Sequence, residues 1–140
     1  MNQYREVVEV EETAFFMPYA PLVRVRAGGT LLFVSGATAL PLYHQHPHEH
    51  AALDPPADVG EQTRLVMENL KQVLVSAGAA FSDVVRTDVF VTDMDDQDAI
   101  GGVMGEYFQG DYPASTLVEI KRLVDPRLKL EVSAIAVIEG

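Results

Sequence analysis

The chain has 140 residues, with 21 acidic against 10 basic side chains, a net charge of −11 and no cysteine. That length predicts one domain over residues 1–140, with a core large enough to fold without disulfides or metal. The acidity argues against nucleic acid and anionic membranes as partners, and the missing cysteines exclude thiol nucleophiles, thiolate metal sites and disulfide frameworks. The charged N-terminus lacks the apolar run of a signal peptide, and no segment approaches the ~20 apolar residues of a membrane span. The expected setting is cytoplasmic.

Arg5–Val10 reads as a short strand. Thr13–Pro21 is apolar but broken by Pro18 and Pro21, which predicts an ordered loop whose aromatics pack on a neighbour. Leu22–Arg26 alternates as a half-buried strand, and Gly28–Gly29 predicts a tight hairpin into Leu31–Ser35, a strand buried on both faces. Gly36–Ala57 is a long irregular segment carrying all four histidines. Loops of that length are uncommon in small domains and are often functional.

Asp58 is the predicted N-cap of a helix, with Glu61 three residues on, and Gly78 is its expected C′ residue. Leu65/Val66, Leu70, Val73/Leu74 and Ala77 form its apolar stripe. Val84–Thr92 alternates, with Val85, Thr87, Val89 and Val91 on one face. Asp93, Asp95 and Asp96 suit the start of a second helix. Gly101, Gly102 and Gly105 weaken that helix and call for either close backbone contact or mobility. Gly110 and Pro113 end it. Ser115–Leu123 and Leu128–Ile138 are the last strands, with Asp125-Pro126 as the turn between them.

The order β-β-β-α-β-α-β-β predicts an α+β fold, a mixed sheet of about six strands with both helices on one face. The opposite face would then expose alternating Val, Leu and Ile side chains, a physical reason to expect self-association.

Glu131 interrupts an apolar strand, where a charge must be paired, exposed or used. It reads either as a general base that holds water or as a solvated, edge-facing carboxylate. Tyr19, between two prolines, is either a pocket donor or a packed surface aromatic. Ser115 and Thr116 open a strand whose backbone N–H groups could hold an anion. His44, His46, His48 and His50 alternate, so that two or three could share a zinc or nickel ion. The preferred reading is a polar loop over a cleft mouth, because all four lie on one proline-interrupted segment. Arg24, Arg26, Arg122 and Arg127 are further cations that could meet a substrate carboxylate.

Phe33–Gly36 (FVSG), Glu61–Gly78 (EQTRLVMENLKQVLVSAG), Asp83–Asp96 (DVVRTDVFVTDMDD), Glu106–Phe108 (EYF), Tyr112–Ile120 (YPASTLVEI) and Leu130–Ile138 (LEVSAIAVI) together resemble the Rid (YjgF) family of enamine/imine deaminases. The resemblance runs from about Pro18 to the C-terminus. It implies a chorismate-mutase-like fold, a homotrimer with active sites in the clefts between subunits, and hydrolysis of an enamine or imine metabolite with release of ammonia. It implies no metal or organic cofactor. The family's pocket tyrosine and water-positioning glutamate correspond to Tyr19 and Glu131. Its Ser-Gly pair is kept as Ser35-Gly36, so that Gly36, Ser115, Thr116 and Leu117 are the substrate-binding candidates. Pro113-Ala114-Ser115-Thr116 stands where the family has Pro-Ala-Arg-Ser, so Ser115 replaces the carboxylate-clamping arginine. Gly101 and Leu117 replace the pocket asparagine and a frequent cysteine. The alternative reading is a non-catalytic, ligand-binding or chaperone-like trimer of the same fold.

Overall fold

A computed structural model describes residues 2–140. Six strands and two long helices appear in the order β1 (Arg5–Val8), β2 (Leu22–Val25), β3 (Gly29–Ala37), α1 (Val59–Ser76), β4 (Val84–Val91), α2 (Gln97–Phe108), β5 (Ala114–Glu119) and β6 (Leu130–Glu139). The strands divide into a four-stranded mixed sheet, β3-β6-β4-β5, and a two-stranded ribbon, β1-β2. Within the larger sheet β6 runs antiparallel to both β3 and β4, while β4 and β5 are parallel. A parallel pair needs a crossover, and α2 supplies it.

Two local expectations give way here. Gly28 does turn the chain, at φ +98°. But β2 pairs with β1 and β3 with β6, so Gly28–Gly29 is no hairpin between bonded strands. A turn signal specifies a reversal and says nothing of who pairs next. Nor is Leu31–Ser35 buried on both faces, since Phe33 is 76% exposed and Leu31 47%. Leu32 and Val34 face the core, and the alternate residues face away from the helices.

The core lies between the sheet and the helices. Val66, Met67, Leu70 and Leu74 of α1 and Ile100, Met104 and Phe108 of α2 pack on Val89, Val91, Leu130, Val132, Ala134 and Ala136. Met67 is buried where the sequence pointed to Leu65, which is 41% exposed. Burying each such large side chain contributes about 1.5–3 kcal/mol. Helix α1 starts as expected, with Asp58 accepting from the Glu61 N–H at 2.9 Å. It stops at Gly78, φ +75°, where the Ala79 N–H closes back on Leu74 O at 2.8 Å.

Two buried polar side chains fix the frame. Gln62, fully buried, donates to Pro56 O at 2.7 Å and Arg127 O at 2.9 Å, and accepts from the Lys129 N–H at 2.9 Å. Arg5, with its side chain 5% exposed, donates to Val84 O, Tyr112 O and the Asp111 carboxylate. It ties β1 to β4 and to the segment that leads into β5.

The helical glycines are not alike. A Cβ at Gly105 would sit 2.9 Å from the Tyr112 hydroxyl, so that position is one of close approach. Gly101 and Gly102 have nothing within 4 Å. Gly101→Ala is therefore expected to raise unfolding free energy by about 0.5–1 kcal/mol through helix propensity alone. Urea denaturation measures it, and a loss of stability would contradict the open space.

Candidate functional site

A cleft of about 750 Å³ lies where α2, the core-facing side of β4 and β5, and the loop before β2 meet. That volume lies within the ordinary range for small-molecule pockets. Thr87, Val89, Ser115 and Leu117 form its floor; Gly101, Met104 and Gly105 are among its α2 wall; Phe16, Tyr19 and Tyr112 close the third side. Of the predicted residues it brings together Tyr19, Ser115 and Leu117.

Local bonds explain the placement. The Ala20 N–H donates to Pro113 O at 2.9 Å, docking the loop beside the start of β5. Phe16 meets Tyr112 edge-on with ring centroids 5.8 Å apart. Its other surface is open, 74% exposed, as is most of Phe15, so these aromatics pack far less than the loop reading expected. Thr87, buried, donates its hydroxyl to Ser115 Oγ at 2.8 Å. The Ser115 proton is thereby free to donate into the cleft.

The charge of the cleft is one-sided. Asp98 and Glu106 line it, and none of the lining residues is Lys, Arg or His. Glu106 is paired with Arg64 at 2.8 Å. The arginines that might have met a carboxylate lie elsewhere. Arg24 and Arg26 lie against Glu6 at 3.6 and 2.6 Å, Arg127 is bound to Asp125, and Arg122 donates to Leu123 O.

Glu131, Gly36 and Thr116 lie on the other side of the sheet. Strand alternation sets this: Leu130 and Val132 are core residues, so Glu131 between them faces away from the helices. It is half-buried in a central strand, opposite Phe90 of β4, which removes the reading of an edge-facing carboxylate. Its carboxylate lies over Gly36, where a Cβ would collide with Oε2. Thr116, exposed, accepts from Arg86 at 3.2 Å on this same face. Within one chain the predicted residues thus form two groups: Tyr19, Ser115 and Leu117 in the cleft, Gly36, Glu131 and Thr116 on the helix-free face.

The histidines are a third group. His44, His46 and His48 bring one ring nitrogen each to within 4.8 Å of one another. His48 titrates below the usual histidine range, through partial desolvation and then through repulsion by His46, His44 and His50. His50 stands apart, with Nδ1 3.2 Å from the Asp125 carboxylate. Asp125 is fully buried and also accepts from Arg127, whose hydrogen bonds hold its carboxyl well below the usual range against an opposing burial penalty.

Residues 2–138 match the model of the family described as Endoribonuclease L-PSP. The chain is a member of the Rid (YjgF) family. Among similar proteins, Protein DfrA of Myxococcus xanthus is 41% identical over 122 residues, 86% of this chain and 85% of that protein. The protein named "Putative reactive intermediate deaminase TdcF" of Escherichia coli (strain K12) is 41% identical over 85 residues, 59% of this chain and 65% of its own length. The Rid-family protein YyfB of Yersinia pestis, of unknown function, has a similar structure, with TM-score 0.78 and 29% identity over 96% of this chain and 98% of that one. The structure of E. coli TdcF with bound serine gives TM-score 0.65 and 30% identity, over 90% and 98% of the two chains.

The residues that sequence reasoning missed are Phe16, Tyr112, Asp98, Glu106 and Arg86. For Thr87 the signal existed: alternation put it with Val85, Val89 and Val91, and a hydroxyl on an apolar face marks a polar spot in the wall.

Proposed function

We propose that this Rid-family chain is a cytosolic hydrolase that deaminates an enamine or imine metabolite in a cleft completed between subunits of a homotrimer. The observation that carries the reading is Glu131, half-buried, lying over the side-chain-free Gly36 on the face away from the helices. A carboxylate so placed can hold a water and take its proton as it adds to the C=N carbon. The resulting carbinolamine expels ammonia and leaves a carbonyl. Tyr19, Ser115 and Leu117 belong to the half of the site that grips the rest of the substrate. Joining the halves requires a second copy, and the apolar side chains at Leu31, Phe33 and Val118, all at least 39% exposed, favour such an assembly.

The cleft's charge narrows the substrate. A serine hydroxyl cannot replace the bidentate fork of arginine, and the carboxylates nearby repel an anion. The part of the substrate held here is then neutral or cationic, as a protonated imine is. The same acidity leaves RNA outside the proposal. Ammonia release from a panel of enamines and imines tests the reading. Substrates lacking a carboxylate should turn over best, and Ser115→Arg should shift preference toward 2-imino acids by roughly 10- to 100-fold, the worth of one charge-assisted pair. No acceleration with any of them would overturn it. A trimer that binds such molecules without turnover is the second reading, favoured by Ser115 standing at the clamp position.

A further inference from the structure

Three histidines of the loop between β3 and α1 bring one ring nitrogen each within 4.8 Å of one another. His44 Nε2 lies 2.9 Å from His48 Nε2, and His48 Nε2 lies 3.0 Å from His46 Nε2. The other nitrogen of His44, Nδ1, is 2.7 Å from Pro41 O. A carbonyl oxygen only accepts, so Nδ1 carries the proton and the neutral ring turns a lone pair toward His48. His48 Nε2 then meets two partners with a single proton or a single lone pair. Were it to donate to His44, His46 would have to offer a lone pair to a nitrogen whose only proton is already engaged. Were it to accept from His46, it would face the lone pair of His44. Three neutral imidazoles cannot satisfy both contacts among themselves.

A metal ion at the centre satisfies all three at once. We propose that His44, His46 and His48 form a divalent transition-metal site, zinc in the first place, with the three Nε2 atoms as ligands and a fourth position left for water or a small ligand. Imidazole suits zinc, and three protein ligands with an open position are a common zinc arrangement. Zn–N bonds of about 2.0–2.1 Å in a tetrahedron put the ligand atoms about 3.3 Å apart, a few tenths beyond the two distances from His48 and inside the 4.8 Å that bounds all three. The Nδ1–H bond to Pro41 O is the outer-sphere contact that fixes a ligand's tautomer and orientation.

All three ligands share one loop, and this loop is tied down. Asn69 of α1 donates to Thr38 O at 2.9 Å and Leu40 O at 2.8 Å. Ala39, Leu40 and Leu53 pack with Leu128 in a small core of their own. Arg127 donates to His50 O at 3.2 Å, and the His50 ring is engaged by Asp125, which keeps it out of the ligand set.

The test uses the full chain free of any histidine tag, stripped with a chelator and titrated with zinc chloride in a calorimeter. One saturable zinc per chain is expected. His46→Ala and His48→Ala should each weaken binding by roughly 100-fold or more, beyond what loss of an outer-sphere partner costs. His50→Ala should leave it within about twofold, and magnesium, which prefers oxygen ligands, should not bind there. These positions lie outside helix and strand, and an unchanged far-UV spectrum verifies the fold of each variant. Absence of saturable binding, survival of binding in both His46→Ala and His48→Ala, or equal loss in His50→Ala would each overturn the proposal.

Discussion

Glu131→Ala is expected to lower kcat/KM for ammonia release by about 10²- to 10⁴-fold, the usual worth of a positioned general base. The sharper version acts on its neighbour. A Cβ at Gly36 would occupy the space of the Glu131 carboxylate, falling 2.8 Å from Cδ and closer still to Oε2. Gly36→Ala keeps the glutamate but moves it, and should reproduce at least a tenfold share of the loss. Because the two changes act on one carboxylate, the double variant should be little worse than Glu131→Ala alone. Steady-state kinetics on all three variants decides it. Full activity in Glu131→Ala would remove the glutamate from the mechanism, and strictly multiplicative effects would separate Gly36 from it.

Asp125→Ala is expected to destabilise the fold by about 2–3 kcal/mol. Its fully buried carboxylate accepts the Arg127 backbone N–H at 2.9 Å and two guanidinium bonds at 2.8 and 3.0 Å. Removing one member of a buried pair costs several kcal/mol, discounted here because the Arg127 side chain is 39% exposed and water can solvate it. The sign with pH follows from the lowered carboxyl. The stabilisation is present above the unfolded value of about 4 and drains away as pH falls below it toward the folded value. Parent and variant should therefore converge in stability as pH drops from about 5 toward 2. Chemical denaturation across that range measures it, and a constant gap would show that the carboxylate's charge is not what matters.

Much of the fold could be read from the sequence because its signals are local. The Asp58 cap, the 3.6-residue stripe of α1, the alternation of Thr87 to Val91 and the stop at Gly78 each depend on neighbours within a few residues, whereas the irregularity at Val85 that puts Val84 in the core left no such mark. What was illegible is pairing. Nothing local says that Val25 and Gly29 leave their turn for different partners, or that Arg5 reaches 106 residues on to Asp111. The Asp125-Pro126 turn was legible as a turn, yet Asp125 reads as a surface residue until Arg127 and His50 are seen around it.

The candidate site shows the same division. Alternation placed Thr87 on the apolar face of its strand, but not the hydroxyl it bonds to across β4 and β5, that of Ser115. Glu131 stood out as a carboxylate in an apolar run, but one strand carries no mark of which face the helices cover. The histidine spacing suggested shared ligation, while the convergence of the three Nε2 atoms depends on how Pro41 and His44 fold the segment back.

Gln62 carries a consequence for how this chain opens. Its amide joins residues 56, 127 and 129, so neither the end of the histidine loop nor the approach to β6 can lift without stranding a polar group in the interior. Two connections that would ordinarily fray on their own are thereby enrolled in one cooperative unit with α1. Amides along them are therefore expected to exchange with solvent on the same slow clock as α1, with the histidine loop anchored at one end to that helix.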